Sequence, residues 1–282
     1  MLDGIFIPIR GELDRMDAVL SREALSGVAT GDAVARHVIE SGGKRIRPAV
    51  FFLAARTAPD GHPAVHDVAR LAEIAAALEM VHTASLLHDD VVDGDNLRRG
   101  RASANAAFGN GASVLVGDFL WCAASRLIVS AGIPRLTDAV VSAVRATAIG
   151  ALLEIECKGT VQNNRGSWLK VIEGKTAELF ALCARAGAIV AGAEGRHEEA
   201  LASYGRSVGM AFQLTDDAMD AASDDCNSQA RQGIELFGGA NAALELARTY
   251  AKDAKQHLTA IPHSSIRESL MGLADYSANR ES

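Results

Sequence analysis

The sequence Leu86-Leu87-His88-Asp89-Asp90-Val91-Val92-Asp93 ends a long apolar segment with three carboxylates. Asp89 and Asp93 are four residues apart, so on a helix they lie on the same face. Like charges at this spacing repel each other, and a bound cation relieves that repulsion. Proteins usually hold Mg²⁺ with a few carboxylates together with phosphate oxygens of a substrate. The stretch therefore predicts a helix that binds magnesium at its end.

The same pattern occurs a second time, in Gln213-Leu214-Thr215-Asp216-Asp217-Ala218-Met219-Asp220. A solvated acidic helix end explains one copy, but two copies that each follow apolar helical sequence favour a shared chemical role. We expect Asp89, Asp93 and Asp216 to bind metal directly. The remaining aspartates would bind it directly or support these ligands; they are Asp90, Asp217 and Asp220.

Basic side chains lie beside the first cluster and in an earlier turn. Arg98 and Arg99 follow the cluster, and planar guanidinium groups suit phosphate oxygens. Lys44 and Arg47 precede a helix start predicted at Pro48, and a helix N-terminus favours anions. The alternative for this second group is a solvated basic turn.

Two further polar residues occur on apolar helices. His82 lies seven residues before Asp89 on nearly the same helix face, so it is either a satisfied core histidine or part of the site. Lys175 lies on a helix predicted over residues 169–191. Its side chain either snorkels to solvent or binds phosphate.

Composition narrows the functional classes. The 282 residues are 49% hydrophobic and 5% aromatic, with a net charge of −7, which argues against a nucleic-acid partner. No apolar run reaches 18 residues and the N-terminus does not resemble a signal peptide, so we expect no membrane span. The scattered cysteines predict reduced core residues in a cytoplasmic protein.

Helical periodicity covers nearly the whole chain, and no segment alternates like a strand. The pattern predicts an all-α protein with a single domain over residues 1–282 and about ten helices. Residues 1–30 would form an N-terminal arm or helix. Asp32 is the expected N-cap of a helix that ends at Glu40.

Six motifs, in this order, resemble those of the trans-polyprenyl diphosphate synthases, especially the bacterial octaprenyl and decaprenyl enzymes. They are Gly42-Gly43-Lys44-Arg45-Ile46-Arg47-Pro48, His82 with the first acidic cluster, Leu97-Arg98-Arg99-Gly100, Gly117-Asp118, Lys175-Thr176, and Phe212-Gln213 with the second acidic cluster. The resemblance covers about residues 31–222. It implies an all-α fold around a deep central cavity, a requirement for Mg²⁺ and usually a homodimer.

The resemblance also implies a reaction, in which isopentenyl diphosphate condenses repeatedly with an allylic diphosphate. The product would be a long all-trans polyprenyl diphosphate for quinone side chains, directed to the membrane. The residues implied to hold the allylic diphosphate are Arg98, Lys175, Thr176 and Gln213. Those implied to hold isopentenyl diphosphate are Lys44, Arg47, His82 and Arg99. The residues implied to be catalytic are Asp89, Asp93, Lys175 and Asp216.

Two small residues are candidates for control of product length. Ala84 and Ser85 lie about 6–7.5 Å before Asp89 along a helix, where a growing chain would pass toward Ala77, Met80 and Val81. In short-chain relatives a bulky aromatic residue nearby acts as a floor. Because Ala84 and Ser85 are small, the growing chain would pass them along the helix, and we expect a product of about C30 or longer, near C40.

The chain departs from the family pattern in two places. Gly150 is followed by Ala151 rather than Glu, and Glu154 stands where relatives carry Gln. Relatives have a lysine-containing segment after the second cluster, whereas no lysine occurs here between Lys175 and Lys252, and residues 221–282 look shortened.

The departures keep a second hypothesis open. The chain would then be a weakly active or inactive regulatory subunit of a heteromeric prenyl diphosphate synthase. Arg231, expected in a loop over Asp224–Gly233, would supply one replacement charge. A terpene cyclase or diphosphate lyase is disfavoured, because Lys44, Arg47 and Arg99 would have no role without a second diphosphate.

Overall fold

The computed structural model describes residues 2–57, 67–158, 164–221 and 228–280, with only the backbone for residues 228–232. These residues are almost entirely helical, so the all-α fold is confirmed. In chain order the helices are α1 (Leu2–Phe6), α2 (Arg10–Glu23), α3 (Ala29–Glu40), α4 (Ile46–Ala55), α5 (Val68–Asp93), α6 (Ala104–Phe108), α7 (Asn110–Ser130), α8 (Pro134–Cys157), α9 (Arg165–Ile172), α10 (Glu178–Val190), α11 (Arg196–Ala221), α12 (Ser228–Phe237), α13 (Ala240–His257) and α14 (Ser265–Asn279).

Contacts along the chain divide it into two compact units. The first is formed by Ile9–Phe52 and Asp67–Thr137. The second is formed by the described residues of Met1–Pro8, Leu53–His66 and Asp138–Ser282. The single domain expected from the sequence stays a prediction.

Helix α5 is the centre of the first unit. The carboxylate of Asp67 caps its start by accepting hydrogen bonds from the backbone N–H groups of Ala69 and Arg70. The helix is buried on nearly all sides and packs against α2 and α7. It ends at Gly94, which adopts a left-handed conformation with φ of 69°. The first acidic cluster therefore lies at the C-terminal end of a largely buried helix.

A short hairpin follows α5, contrary to the expectation of no strands. Strands β1 (Leu97–Arg98) and β2 (Arg101–Ala102) pair antiparallel. The connecting residues, Arg99 and Gly100, have φ of 54° and 72°, as a two-residue I′ hairpin requires. Strands of two residues are too short to show alternation, so the sequence pattern did not reveal them.

The N-cap predicted at Asp32 is wrong. Helix α3 begins at Ala29, and Asp32 lies inside its first turn. The Asp32 carboxylate instead accepts hydrogen bonds from the N–H groups of Ser26, at 2.7 Å, and Gly27, at 3.1 Å. It therefore stabilises the turn that precedes the helix. Helix α4 likewise begins two residues before Pro48, at Ile46.

Small residues bring the helices of the second unit close together. Helix α11 packs against α10, α13 and α14. A Cβ atom on Gly205 would lie 2.5 Å from the carbonyl oxygen of Phe180, and one on Gly209 would lie 2.6 Å from the Cα atom of Ala177. Helix α1 contacts α14, so the N-terminal segment is an ordered part of this unit.

The helix predicted over residues 169–191 is interrupted. Helices α9 and α10 are separated by a π-helical turn, Glu173–Ala177, which contains Lys175. Such turns insert one residue into a helix and are frequent at functional sites. No propensity in the sequence marks the insertion.

The loop expected over Asp224–Gly233 is also wrong in part, because α12 begins at Ser228. Arg231 lies in this helix, and its side chain is outside the described residues, as are residues 222–227. Within the described ranges there are fourteen α-helices rather than about ten. The excess arises because short helices such as α1, α6 and α12 carry little periodicity.

Two helices, α7 and α8, are long and apolar enough to cross a membrane by length and composition alone. Core helices of soluble proteins meet the same criterion, so the length and composition of these helices are weak evidence for a membrane span. Among the cysteines, Cys157 and Cys183 are buried as predicted, whereas Cys122 is exposed.

We expect Gly209→Ala to lower the free energy of unfolding by about 1–3 kcal/mol, because the added methyl group overpacks the contact with Ala177. Urea unfolding measures the change. Gly111→Ala on α7 is the matched control, since nothing lies within 4 Å of the place its methyl group would occupy; it should be neutral or stabilising. Equal effects of the two substitutions would contradict the close packing of α11.

Candidate active site

The first acidic cluster is tied to the hairpin. Asp90 is 3% exposed, and one of its carboxylate oxygens accepts hydrogen bonds from Nε and a terminal nitrogen of Arg98, at 2.6 and 2.5 Å. Asp89 and Asp93 are less buried. Arg98, predicted to hold the allylic diphosphate, is therefore engaged by Asp90 in this structure.

A glycine on α7 supports the same helix end. A Cβ atom on Gly117 would lie 2.4 Å from Nε2 of His88, so a larger residue would displace the imidazole ring. Nε2 of His88 also lies 3.4 Å from a carboxylate oxygen of Asp118. The Gly117-Asp118 motif thus packs against the residue that precedes Asp89.

Two of the residues predicted to hold isopentenyl diphosphate, Arg47 and His82, contact each other. A terminal nitrogen of Arg47 lies 3.0 Å from Nε2 of His82. Arginine can only donate, so this ring nitrogen accepts. Burial, followed by the charges of Arg47 and Arg99, lowers the pKa of His82 well below its usual value. His82 is therefore a neutral hydrogen-bond partner that orients Arg47.

Arg45 holds the turn that carries Lys44, a role that sequence reasoning missed. Its guanidinium group pairs with Asp17 at 2.9 Å and with Glu79 at 2.8 Å. Arg45 has φ of 50°, which is uncommon for a residue other than glycine. The sequence signal was Glu79, a charged residue within the apolar stretch of α5.

The same turn lies against Arg99. A Cβ atom on Gly43 would be 3.4 Å from a terminal nitrogen of Arg99. Burial and then the charge of Arg98 lower the pKa of Arg99. Lys44, the residue that follows Gly43, is exposed. The structure thus places Arg99 beside the glycine turn and Arg47 beside His82.

A chain of hydrogen bonds supports the second acidic cluster. The hydroxyl group of Thr176 donates to the Gln213 side-chain oxygen at 2.8 Å. The Gln213 amide nitrogen donates to Asp217 at 2.7 Å. Of the residues predicted to hold the allylic diphosphate, Gln213 therefore bonds directly to a predicted metal ligand, and Thr176 is linked to that ligand through Gln213.

Asp217 is poised between its charged and neutral forms. Burial raises the pKa of its carboxyl group to about 7, and the charges of Asp216, Asp220 and Glu154 add to this effect. Carboxylate oxygens that repel one another are a donor set that suits Mg²⁺. Among the described residues, no three His, Cys, Asp or Glu side chains are already grouped as a metal site.

Arg280, which the sequence did not single out, is a buried cation next to this cluster. Its side chain is 1% exposed and pairs with Asp216. It also donates to the carbonyl oxygen of Phe212 at 2.9 Å, and its guanidinium carbon lies 3.6 Å from the centre of the Phe212 ring. It follows Asp216 by 64 residues, so no local pattern connects the two.

Lys175 also has a carboxylate partner in this unit. Its ammonium group lies 2.6 Å from a carboxylate oxygen of Glu154 on α8. Both side chains are largely buried, with 20% and 11% exposure. Lys175 is therefore an ion-pair partner rather than a snorkelling side chain.

The predicted chain-length residues lie on α5. Ala84 is 4% exposed. The hydroxyl group of Ser85 donates to the carbonyl oxygen of His82 at 2.8 Å. Met80 and Ala77, one and two turns before Ala84, are fully buried.

Comparison with known proteins identifies the family. The Polyprenyl synthetase family profile matches residues 29–236. The chain is 40% identical to octaprenyl diphosphate synthase of Escherichia coli K12 over 210 residues, which cover 74% of this chain and 63% of that protein. It is 33% identical to component 2 of heptaprenyl diphosphate synthase of Geobacillus stearothermophilus, covering 78% of this chain and 67% of that protein. The match to the Escherichia coli relative thus spans less than two thirds of that protein's length.

The fold agrees with this relationship. A polyprenyl synthase from Caulobacter crescentus CB15, solved as a complex with calcium and isoprenyl diphosphate, superposes with a TM-score of 0.89 and 32% identity, covering 100% of this chain and 98% of that one. A decaprenyl diphosphate synthase from Rhodobacter capsulatus superposes with a TM-score of 0.87 and 28% identity, covering 99% of this chain and 98% of that one. The chain therefore belongs to the polyprenyl synthetase family.

Proposed function

We propose that the chain is a trans-prenyltransferase that condenses isopentenyl diphosphate with an allylic diphosphate to build a long all-trans polyprenyl diphosphate. The observation that carries this proposal is the second cluster, in which Asp217 lies near Asp216 and Asp220 and accepts a hydrogen bond from Gln213. Thr176 in turn donates to Gln213, and Lys175 precedes Thr176 in the chain. Carboxylates for a metal and donors for phosphate oxygens thus occur together. Octaprenyl diphosphate synthase, a relative at 40% identity, supports a long product.

The carboxylates and basic side chains have separate roles in this reaction. Breaking the bond between the allylic carbon and the diphosphate oxygen leaves negative charge on the diphosphate, which Mg²⁺ bound to the carboxylates would neutralise. Lys175, Thr176 and Gln213, all in the second unit, hold the leaving diphosphate, and the same role for Arg98 stays a prediction from the sequence. The allylic cation is then attacked by the double bond of isopentenyl diphosphate, and a proton is lost.

The basic group on the first unit suits a second diphosphate without a metal ion. Arg47 and Arg99 carry guanidinium forks, and Lys44, which follows Gly43 in the same turn, is exposed. His82 stays neutral and accepts from Arg47, so it adds orientation rather than charge. We assign Lys44, Arg47, His82 and Arg99 to isopentenyl diphosphate.

Self-association fits an exposed apolar stripe on α8 and an exposed leucine on α7. On α8, Ile149, Leu152 and Ile155 are 41%, 62% and 49% exposed and recur at helical spacing. On α7, Leu115 is 69% exposed. Large apolar residues that are exposed side by side mark interaction surfaces, and we assign these helix faces to a homodimer. We further propose that the enzyme is cytoplasmic and that its product supplies quinone side chains.

A second candidate function is supported by two observations. No lysine occurs between Lys175 and Lys252, and Lys175 itself is paired with Glu154. A chain with few lysines available to hold the allylic diphosphate would act as a weakly active or inactive regulatory subunit of a heteromeric synthase. Similarity to a protein named as component 2 of a heptaprenyl diphosphate synthase favours such an assembly. Turnover by the purified chain alone separates the two functions.

Asp89→Ala and Asp216→Ala should each lower turnover by about 10²-fold or more, because each removes a carboxylate from the metal ions that stabilise the leaving diphosphate. The assay is incorporation of labelled isopentenyl diphosphate at saturating substrate and Mg²⁺. Asp138→Ala, an exposed aspartate on α8, is the control and should retain wild-type turnover. Near wild-type rates for either site variant would refute the assignment of that cluster.

Ala84→Tyr should shorten the product to about C15–C20, because the ring would block the path one to two turns before Asp89. Chromatography of the dephosphorylated products reads the length distribution, and a thermal melt confirms that the variant is folded. Ser85→Ala keeps the position small and should leave the distribution unchanged. An unaltered product ladder in the folded tyrosine variant would contradict the role of Ala84.

Acidification should destabilise the protein through His82. Burial and Arg47 depress the pKa of His82 below its usual value of 6.5, so below that pH the unfolded chain binds a proton that the folded chain does not. The free energy of unfolding should fall by about 1 kcal/mol between pH 7.5 and 5.5 from this residue alone. Urea unfolding in EDTA of the wild type and of His82→Gln measures it.

The His82→Gln variant should lose that part of the pH dependence. His263→Gln removes an exposed histidine whose side chain is 79% accessible, and it should keep the wild-type dependence. If the two variants respond to pH in the same way, His82 is not held neutral in the folded protein.

A further inference from the structure

The pair between Glu154 and Lys175 lies where two backbones touch. A Cβ atom on Gly150 would be 2.6 Å from the backbone nitrogen of Lys175, and one on Gly174 would be 3.0 Å from the Cα atom of Gly150. Glu154 is one helical turn after Gly150 on α8, so it lies on the same helix face. The approach of the π-helical turn to α8 therefore fixes Lys175 opposite Glu154.

The carboxylate of Glu154 also acts on the second acidic cluster. Its charge is one of those that raise the pKa of Asp217. Glu154 thus adds a fourth carboxylate to a neighbourhood that already contains Asp216, Asp217 and Asp220. Among the described side chains, Lys175 and Arg280 pair with carboxylates there. The Glu154 carboxylate adds negative charge beside the second cluster, which opposes the entry of a diphosphate.

We propose that Glu154 sets the affinity of this site for diphosphate, because its carboxylate competes with the diphosphate for the ammonium group of Lys175. The inference rests on the proposed function of Lys175 as a diphosphate ligand. Glu154 is a positioning residue, since its role is exerted through the ammonium group of Lys175. The ammonium group that would receive the diphosphate is already paired with a buried carboxylate, so part of its charge is neutralised before the diphosphate arrives.

The test uses inorganic pyrophosphate with Mg²⁺ and isothermal titration calorimetry on the full chain. Glu154→Gln keeps the shape of the side chain and removes its charge. Pyrophosphate should bind about tenfold more tightly to this variant, in keeping with the strength of one hydrogen bond to a charged group. The gain should appear in the KM for the allylic diphosphate, with a much smaller change in kcat.

Two variants separate direct competition from a general charge effect. Glu156→Gln removes the same charge from an exposed position on the same helix and should change binding less than about twofold, because an exposed charge is screened. Lys175→Met combined with Glu154→Gln should show no gain over Lys175→Met alone. A gain that persists without Lys175, or that Glu156→Gln reproduces, overturns the proposal.

A conservative variant covers the case in which Glu154→Gln fails to fold. Glu154→Asp keeps the charge and shortens the side chain by one methylene group, so pyrophosphate should bind about two- to threefold more tightly, as expected for a weakened pair. Unchanged binding in this folded variant would overturn the proposal. If the wild-type chain binds no pyrophosphate with Mg²⁺ while Glu154→Gln melts normally and also binds none, the proposed function fails instead.

Discussion

Charge pairing at buried helix positions is the constraint on which both sites depend. A carboxylate removed from water costs several kcal/mol unless it is paired and hydrogen-bonded. Among the described residues, three buried carboxylates meet a cation: Glu79 with Arg45, Asp90 with Arg98 and Glu154 with Lys175. The fourth, Asp217, accepts from the neutral amide of Gln213, and its pKa is raised to about 7. Among the described buried carboxylates, Asp217 is thus the one without a cationic partner of this kind, and an added positive charge would favour its ionised form.

The same pairing connects local structure to the proposed chemistry. Arg45 joins α2 and α5 to a turn with a positive φ, and that turn presents Lys44. Arg98 joins the hairpin to the end of α5, so Arg99 is held beside Gly43. The basic side chains are therefore positioned by ion pairs among their neighbours. Preorganisation of this kind lowers the cost of ordering long, flexible side chains when an anion binds.

Much of the fold was predictable from sequence, and the failures have physical causes. The buried helices α5 and α11 were found because they are long and apolar, and their carboxylates fall at recognisable spacings. Asp32 was mistaken for an N-cap because a carboxylate near a helix start bonds equally well to the preceding turn. Arg280 and its pairing with Asp216 were missed because the contact is distant along the chain. Local sequence patterns indicate which face of a helix is buried, but they do not identify contacts between residues that are distant along the chain.

The π-helical turn at Glu173–Ala177 has a consequence for changes in chain length. Each residue of a helix advances the side-chain direction by about 100°. The extra residue thus sets α9 and α10 out of phase, and deleting one residue here would rotate Lys175 or the face of α10 away from its neighbours. Substitutions in this segment are then better tolerated than deletions. An ungapped sequence alignment with a protein that lacks this extra residue would assign buried and exposed positions incorrectly on one side of it.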